Sequence, residues 1–326
     1  PPNEVNPRYA ISSRARSTTP APLRGCGLSV PLRRMDERPS LLLSVDFEDW
    51  HQLVRRRVGS RNWLEPGPAL ERQTRALLGL LDELSVKATF FILGMAAHAH
   101  PGLVKAVAER GHEIGCHGDA HVPVYKQTPG EFAADLAAAR ETIEELTGVA
   151  PLGYRAPAFS ITRESRWAYE VLADQGFGYD ASAHDTPRIR ERLRQPSAAP
   201  HRITAGLWEF PVAVWRTRAS AVPVGGASYW AILPRRLVLH GLERAGELAG
   251  LYLHPHELDP QPLRAELPEA GVQQRLHGRL RAAQRNSARR GARATLCAIA
   301  ERFRLIPYGA AYARLSAGAR QEPVQD

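Results

Sequence analysis

The sequence predicts an α/β fold in which a parallel sheet, open or closed into a barrel, alternates with helices. From Leu41 onward, short apolar runs alternate with amphipathic segments of helical period, and repeated strand–helix units of this length are typical of a parallel sheet. Three of the apolar runs also end directly in polar clusters. Strand ends are where α/β proteins place their reactive groups, so both observations favour this class.

The predicted elements follow one another along the chain. The predicted strands are the apolar runs at 41–47, 88–93, 113–116, 177–179, 207–214 and 251–254. Helical periodicity predicts helices at 69–84, 101–109, 128–148 and about 162–174. The helix at 128 opens with an N-cap threonine, a proline at the first helical position and an acid at the third. A later basic helical region and a strand-like segment at 303–307 are expected to pack on the same core.

Length and composition allow a full-sized core, since the chain has 326 residues of which 44% are hydrophobic. No stretch approaches the roughly 20 apolar residues of a membrane-spanning helix, and no secretory signal pattern opens the sequence. We therefore expect a cytoplasmic protein, with peripheral attachment to the inner membrane left open. The three cysteines, Cys26, Cys116 and Cys297, are too few and too far apart for a disulfide framework.

The formal charge of +9 is carried almost entirely by arginine. The densest basic stretch runs from Arg275 to Arg293, and contact with a nucleic acid or another anionic polymer is one interpretation of it. Aromatic residues, which a single-strand groove would need, do not interleave with these arginines. We therefore expect a solvated helix face and no nucleic-acid partner.

Residues 1–39 are rich in Pro, Arg, Ser and Thr and lack apolar periodicity, so they are predicted to be a disordered extension. Met35 lies just before the first predicted strand. We expect Met35 to be the natural start of the protein.

The polar clusters contain the parts of a hydrolytic metal site. Asp46, Glu48 and Asp49 close the first strand, His117 and His121 follow the third, and His254 closes the last. Two imidazoles and one carboxylate can hold a metal ion while leaving a position for water. The histidine pair lacks the glutamate of the helical His-Glu-x-x-His pattern, so a loop site is expected. A helix cap is the alternative for the acids, but a charge this close to a buried strand needs a reason.

Taken in order, these segments resemble the polysaccharide deacetylase family with the NodB-homology domain, similar to carbohydrate esterase family 4. The resemblance covers about residues 40–260 and rests on Asp46–Trp50, Ala88–Gly94, Gly111–His121, Tyr154–Pro157, Tyr179–Ser182 and Tyr252–His254. The acidic variant at 46–50, Gly225-Gly226 with Tyr229, and the segment 254–257 resemble the branch encoded beside exopolysaccharide and exosortase systems.

The resemblance implies a distorted (β/α)7 barrel with its site at the carboxyl ends of the strands. It implies metal-assisted removal of N-acetyl groups from an amino-sugar polysaccharide, an oligosaccharide or a precursor. We expect the deacetylase domain to span 40–260, a C-terminal extension on the barrel to span 261–318, and a tail to span 319–326. The sequence does not indicate the oligomeric state.

The implied metal ligands are His117, His121 and an acid, and the expected ion is Zn²⁺. The family's adjacent acid pair is spread over four residues here, so Glu48 is favoured as the third ligand and Asp49 remains open. Cys116, next to a ligand, is expected to be a packed thiol.

The other implied roles are catalytic. Asp46 is the expected general base, oriented by Arg155, and His254 the expected general acid, tuned by Asp180. A backbone N–H at Ala158 or Phe159, which stand in place of the family's common tyrosine, is expected to stabilise the oxyanion.

Trp50, Trp208 and Tyr229 are candidate sugar-stacking residues, with core packing equally expected for each. Two other functions stay open. One is an amidohydrolase of small linear or cyclic amides on the same fold, and the other is a carbohydrate-binding protein that has lost catalysis.

Overall fold

The computed structural model describes residues 38–60, 64–184, 198–218, 220–267 and 270–319. Its strands are β1 (Ser40–Phe47), β2 (Thr89–Ile92), β3 (Glu113–Cys116), β4 (Gly153–Tyr154), β5 (Tyr179–Asp180), β6 (His201–Arg202), β7 (Trp208–Glu209), β8 (Val214–Arg216), β9 (Ala221–Pro223), β10 (Gly250–Leu253) and β11 (Arg304–Ile306). Its helices are α1 (Trp50–Arg57), α2 (Leu70–Glu83), α3 (Gly94–Ala99), α4 (Pro101–Glu109), α5 (Pro129–Thr147), α6 (Ala168–Asp174), α7 (Ala227–Trp230), α8 (Arg235–Ala245), α9 (Val272–Ala288), α10 (Ala292–Arg302) and α11 (Tyr308–Ala319).

Strand β1 lies at the centre of the sheet. All eight of its residues are buried, and it pairs in parallel with β10 on one side and β2 on the other. Both faces of a parallel sheet are covered in such folds, so its strands are almost continuously apolar. The run of leucines before Asp46 meets this requirement.

The main sheet has the order β10-β1-β2-β3-β4-β5-β7-β6. Its pairs are parallel except that of β6 with β7. An isolated parallel bridge joins Val212, beyond β7, to Gly250 of β10. This bridge curls the sheet towards a barrel, as expected. The carboxyl ends of the parallel strands therefore meet at one rim, which carries the polar clusters.

Most predicted elements lie close to their observed positions, and α5 shows why. Thr128 and Glu131 form the reciprocal capping box, and Gly148, at φ +73°, ends the helix. Two elements differ from the prediction. Helix α6 begins at Ala168 rather than near 162. The run 207–214 divides into β7 and β8 around Pro211, which has no N–H to donate to a ladder.

The segment after residue 260 contributes to the same sheet. Strand β11 pairs in parallel with the first residues of β1, and Tyr308 packs in a buried cluster with Leu42, Phe91 and Phe210. The domain boundaries stay predictions, and residues 1–37 and 320–326 lie outside the described part. No helix in the described ranges is long and apolar enough to cross a membrane.

Candidate active site

Glu48 lies between two histidines at the rim of the sheet. Its Oε1 is 3.1 Å from Nε2 of His117 and 3.3 Å from Nε2 of His121. Glu48 follows β1 and His117 follows β3, so parallel packing brings together residues far apart in sequence. Burial raises the pKa of Glu48, but positive charge on His121 and His254 outweighs it, and the pKa lies well below its usual value.

The other ring nitrogen of His117 determines its tautomer. Nδ1 lies 2.8 Å from the carbonyl oxygen of Arg155, which can only accept a hydrogen bond, so Nδ1 carries a proton. In the neutral imidazole, Nε2 then carries a lone pair, which faces the carboxylate oxygen of Glu48. Two such acceptors at this separation need either a proton on Nε2 or a cation between them. A carbonyl that holds the opposite nitrogen is also the usual support of a metal-binding histidine.

The donor spacing fits a divalent cation. One donor atom from each of Glu48, His117 and His121 lies within 4.8 Å of the others. Ligands bound at about 2.0–2.1 Å in a tetrahedral shell lie about 3.3 Å apart, and the two distances from Glu48 agree with this value. These three residues therefore suit a metal ion such as Zn²⁺.

The loop after β3 is shaped to present His121. Gly118 adopts φ +79° and His121 itself φ +52°, a conformation that is uncommon for a side-chain-bearing residue and recurs at functional sites. Asp135 of α5 fixes the loop by accepting hydrogen bonds from the N–H groups of Asp119, at 3.0 Å, and Ala120, at 3.2 Å.

Asp49 is turned away from this group. It caps α1, accepting from the N–H of His51 at 2.8 Å and from the N–H of Gly67 at 2.5 Å. Of the two acids left open by the sequence, the structure brings Glu48 to the imidazoles and gives Asp49 a helix-capping position.

Arg155 and Asp46 form a buried ion pair, with Arg155 Nη1 2.8 Å from Asp46 Oδ1. The same guanidinium donates to Ser44 Oγ, to the carbonyl of Ala181 and to Tyr308 Oη. Burial lowers the pKa of Arg155, but the Asp46 carboxylate outweighs it and raises the pKa above its usual value. Sequence reasoning missed Tyr308, which no local pattern marks.

His254 has an acid partner three residues along the chain. Its Nδ1 lies 3.1 Å from Oε2 of Glu257, and its Nε2 lies 3.7 Å from Oε1 of Glu48. Ser228 donates to Oε1 of Glu257. Burial lowers the pKa of His254, but the charges of Glu257 and Glu48 raise it to about 9. Burial raises the pKa of Glu257, yet His254 lowers it to about 2. These two carboxylates therefore favour the imidazolium form of His254.

The expected pairing of Asp180 with His254 is corrected by these contacts. Asp180 accepts from the N–H of Ser182 at 3.1 Å and from its hydroxyl at 2.6 Å. Ser182 Oγ in turn accepts from the N–H of Ala156 at 2.7 Å. Asp180 stands at the end of β5, beside Glu209 at the end of β7, and burial raises the pKa of both. Asp180 thus supports the segment that carries Arg155.

The segment after Arg155 has a strained backbone. Ala158 and Phe159 both have positive φ, +55° and +53°, which is uncommon outside functional sites for residues other than glycine. The N–H of Phe159 donates to the carbonyl of Ala156 at 2.9 Å. The N–H of Phe159 is therefore already used within the protein. Of the two expected oxyanion donors, the N–H of Ala158 is the one that remains. The Phe159 ring lies 4.8 Å from that of Tyr252.

The three candidate stacking residues differ in position. Trp50 is only 7% exposed and packs in a core cluster with Val54, so of its two expected roles the structure shows core packing. Trp208 stacks against Phe210, with an angle of 29° between the ring planes. Tyr229 is half-buried.

The Cys116 thiol is buried, which raises its pKa to about 12.

Comparison with known proteins gives matches along most of the described chain. A family model described as polysaccharide deacetylase matches residues 64–175, and a model described as a domain of unknown function (DUF3473) matches residues 181–289. The chain is 36% identical over 107 residues to a peptidoglycan-N-acetylglucosamine deacetylase of Bacillus cereus, covering 32% of this chain and 38% of that protein. It is 32% identical over 156 residues to a peptidoglycan deacetylase-like protein of Gibberella zeae, covering 45% of each.

These alignments span less than half the length of either curated relative. A solved structure from Mycobacterium smegmatis, provisionally assigned as a polysaccharide deacetylase, matches with a TM-score of 0.55 at 21% identity. That match covers 89% of this chain and 95% of the other. It confirms the predicted barrel fold. The family model, which matches residues 64–175, and the curated relatives agree that this chain is similar to polysaccharide deacetylases.

Proposed function

We propose that this protein is a metal-dependent hydrolase that removes N-acetyl groups from an amino-sugar polymer or its precursor. The main observation behind this proposal is that Glu48 belongs to two clusters of potential metal-binding side chains. One contains His117 and His121, and the other contains Asp46 and His254. A metal site, a base and an acid thus lie around one carboxylate. The names of the curated relatives support the substrate class, and the sequence branch favours an exopolysaccharide.

Amide hydrolysis is slow because water is a weak nucleophile and an amine is a poor leaving group. Glu48, His117 and His121 would hold a divalent ion, which would act there as a Lewis acid that polarises the carbonyl and lowers the pKa of water. Zn²⁺ suits two imidazoles and one carboxylate.

Asp46 is the proposed general base. It accepts a proton from the attacking water as the new carbon–oxygen bond forms. Arg155 Nη1 holds Oδ1 of Asp46, which fixes the carboxylate and leaves Oδ2 for the water. The N–H of Ala158 is the proposed donor to the carbonyl oxygen as negative charge develops on it.

His254 is the proposed general acid. As the carbon–nitrogen bond breaks, the imidazolium gives its Nε2 proton to the departing amine, and acetate and the free amine result. Glu257 holds Nδ1, so the ring keeps both its orientation and its charge. Ser228 positions Glu257 from the other side.

The test is acetate release by the zinc-loaded protein from a panel of substrates, with Asp46→Asn as the inactive control. The panel contains N-acetylglucosamine oligomers, small linear amides and cyclic ureides. We expect release from the oligomers that Asp46→Asn abolishes. Turnover of the small amides alone would favour the amidohydrolase alternative. Binding of oligomers without acetate release at any metal loading would favour a carbohydrate-binding protein.

A further inference from the structure

Helix α9 presents an apolar stripe to solvent. Val272, Leu276 and Leu280 are 83%, 57% and 62% exposed, and their spacing of four places them on one side of the helix. The opposite side is buried, since Ala282 packs in a cluster with Trp50. The helix thus has two apolar sides. One packs against the rest of the protein, and the other faces solvent.

The surroundings of this stripe are strongly basic. From Val272 to Ala300 the chain has no Asp or Glu and seven arginines, at 275, 279, 281, 285, 289, 290 and 293. Among the described residues, Arg293 pairs with an acid, Glu83, whereas Arg275, Arg281, Arg285 and Arg289 donate to uncharged acceptors.

Arg279 is closest to the stripe in the helical repeat, three residues after Leu276 and seven after Val272. Arg281 lies in a cluster of like charges. Burial, together with the positive charges of Arg57 and Arg285, lowers its pKa below the usual value.

The same helix touches the candidate site. Arg285 Nη1 donates to Ser228 Oγ at 3.1 Å, and Ser228 donates to Glu257, the partner of His254. The surface that α9 rests on therefore lies beside the network of the candidate acid.

We propose that α9 docks the protein on an anionic lipid membrane, with Val272, Leu276 and Leu280 inserted between the headgroups and the exposed Arg275 and Arg279 on the lipid phosphates. An exposed apolar ridge flanked by arginines is the pattern of helices that lie in a membrane interface. A second copy of the chain is disfavoured as the occupant, because pairing two such stripes would bring two sets of arginines together. This surface function goes beyond deacetylation, and its test needs no catalytic activity.

The test is flotation of the full chain with vesicles of phosphatidylcholine alone or mixed with phosphatidylglycerol. We expect binding to the mixed vesicles that weakens with salt. The double variant Leu276→Gln/Leu280→Gln is expected to lower the partition coefficient about tenfold or more. Arg279→Gln is expected to lower it about fivefold. Val149→Gln is the matched control, since Val149 is 68% exposed after α5, and it should bind as the wild type does.

Unchanged thermal unfolding of each variant will show that it is folded. Equal binding by the wild type and the double variant, or equal binding to neutral and anionic vesicles, would overturn the proposal. Suppose that the wild type binds no vesicles and sediments as a dimer, while the double variant sediments as a monomer. That result would assign the stripe to a second copy instead. Absence of wild-type binding would equally reject the membrane as the occupant.

Discussion

His117 and His121 each place Nε2 near the same oxygen of Glu48. We therefore predict that both imidazoles are needed to bind the metal. Replacing either histidine with Ala should lower metal affinity by about tenfold or more, because perturbing even the residues around a metal shell has this effect. Metal content of the purified variants measures it. His98→Ala, which removes an imidazole bonded to Thr142 away from the site, should keep the metal. A variant lacking both histidines that still bound stoichiometric metal would contradict the assignment.

The three acids of the first cluster should separate by phenotype. Asp46→Asn should keep the metal but lower kcat by about 10²–10⁴, since a general base is lost. Glu48→Gln should lower metal affinity about tenfold or more. Asp49→Ala should keep the metal and lose about 1 kcal/mol of unfolding free energy, because a helix cap is lost. Metal content, acetate release and urea unfolding distinguish the three. Release of metal by Asp46→Asn alone would reverse the first two roles.

At the level of residues, the sequence predicted which side chains lie at the rim but not all of their partners. Asp46, His117 and His254 could be found because each follows an apolar strand. Asp180 also ends a strand, yet its nearest partner is Ser182 two residues on. Strand ends of a parallel sheet bring many polar groups to one rim. Spacing alone therefore does not say which of them pair.

At the level of elements, His112 connects the start of β2 to the segment before β3. Its Nδ1 accepts from the N–H of Ala88 at 3.2 Å. Burial, assisted by Lys87, lowers its pKa from 6.5 to about 4. Between about pH 6.5 and pH 4, His112 is therefore protonated in the unfolded chain and neutral in the folded chain. Stability is full above about pH 6.5 and falls as the pH drops towards 4.

His112→Asn should reduce this loss, because the amide keeps an acceptor for Ala88 and does not titrate. Urea unfolding at neutral pH and at about pH 5 measures it for both proteins. His184 and His256 also have pKa values lowered by burial, to about 3, so the variant should reduce the pH dependence without abolishing it. Equal losses in the two proteins would exclude His112 as a contributor.

Tyr308, the first residue of α11, contacts Arg155 through its hydroxyl at 2.9 Å. Tyr308→Phe keeps the ring but leaves a buried charged donor without this acceptor. We expect a loss of about 1–3 kcal/mol in unfolding free energy and a lower kcat with KM nearly unchanged. Tyr312→Phe, on the same helix, is the matched control. A Tyr308→Phe protein with wild-type stability and kcat would show that the contact supports neither.

Elements with complete local signals were predicted well, and those set by tertiary contacts were not. Thr128 and Glu131 define the start of α5 by themselves. Nothing near residue 308 in the sequence indicates that its hydroxyl enters the barrel, because the position depends on pairing between β11 and β1. The run 207–214 was predicted as one strand because its apolar pattern is continuous, although Pro211 interrupts the pairing.

At the level of the whole molecule, the chain that starts at Met35 should fold and act like the full chain. The preceding residues have no periodic apolar face to bury. Thermal unfolding and acetate release of the truncated protein measure this, and we expect changes within about 0.5 kcal/mol and twofold. Loss of soluble protein on this truncation would make the N-terminal segment part of the fold.

The contact between Arg155 and Tyr308 joins residues 153 positions apart in the chain, while β11 pairs with the opening residues of β1. The ribosome makes Asp46 and Arg155 long before it makes Tyr308. Until Tyr308 has left the ribosome, the opening residues of β1 lack their β11 partner and the Arg155 guanidinium lacks one of its acceptors. The candidate site is therefore completed late in synthesis. A chain interrupted before this point carries every proposed metal ligand, acid and base, but not the framework that aligns them.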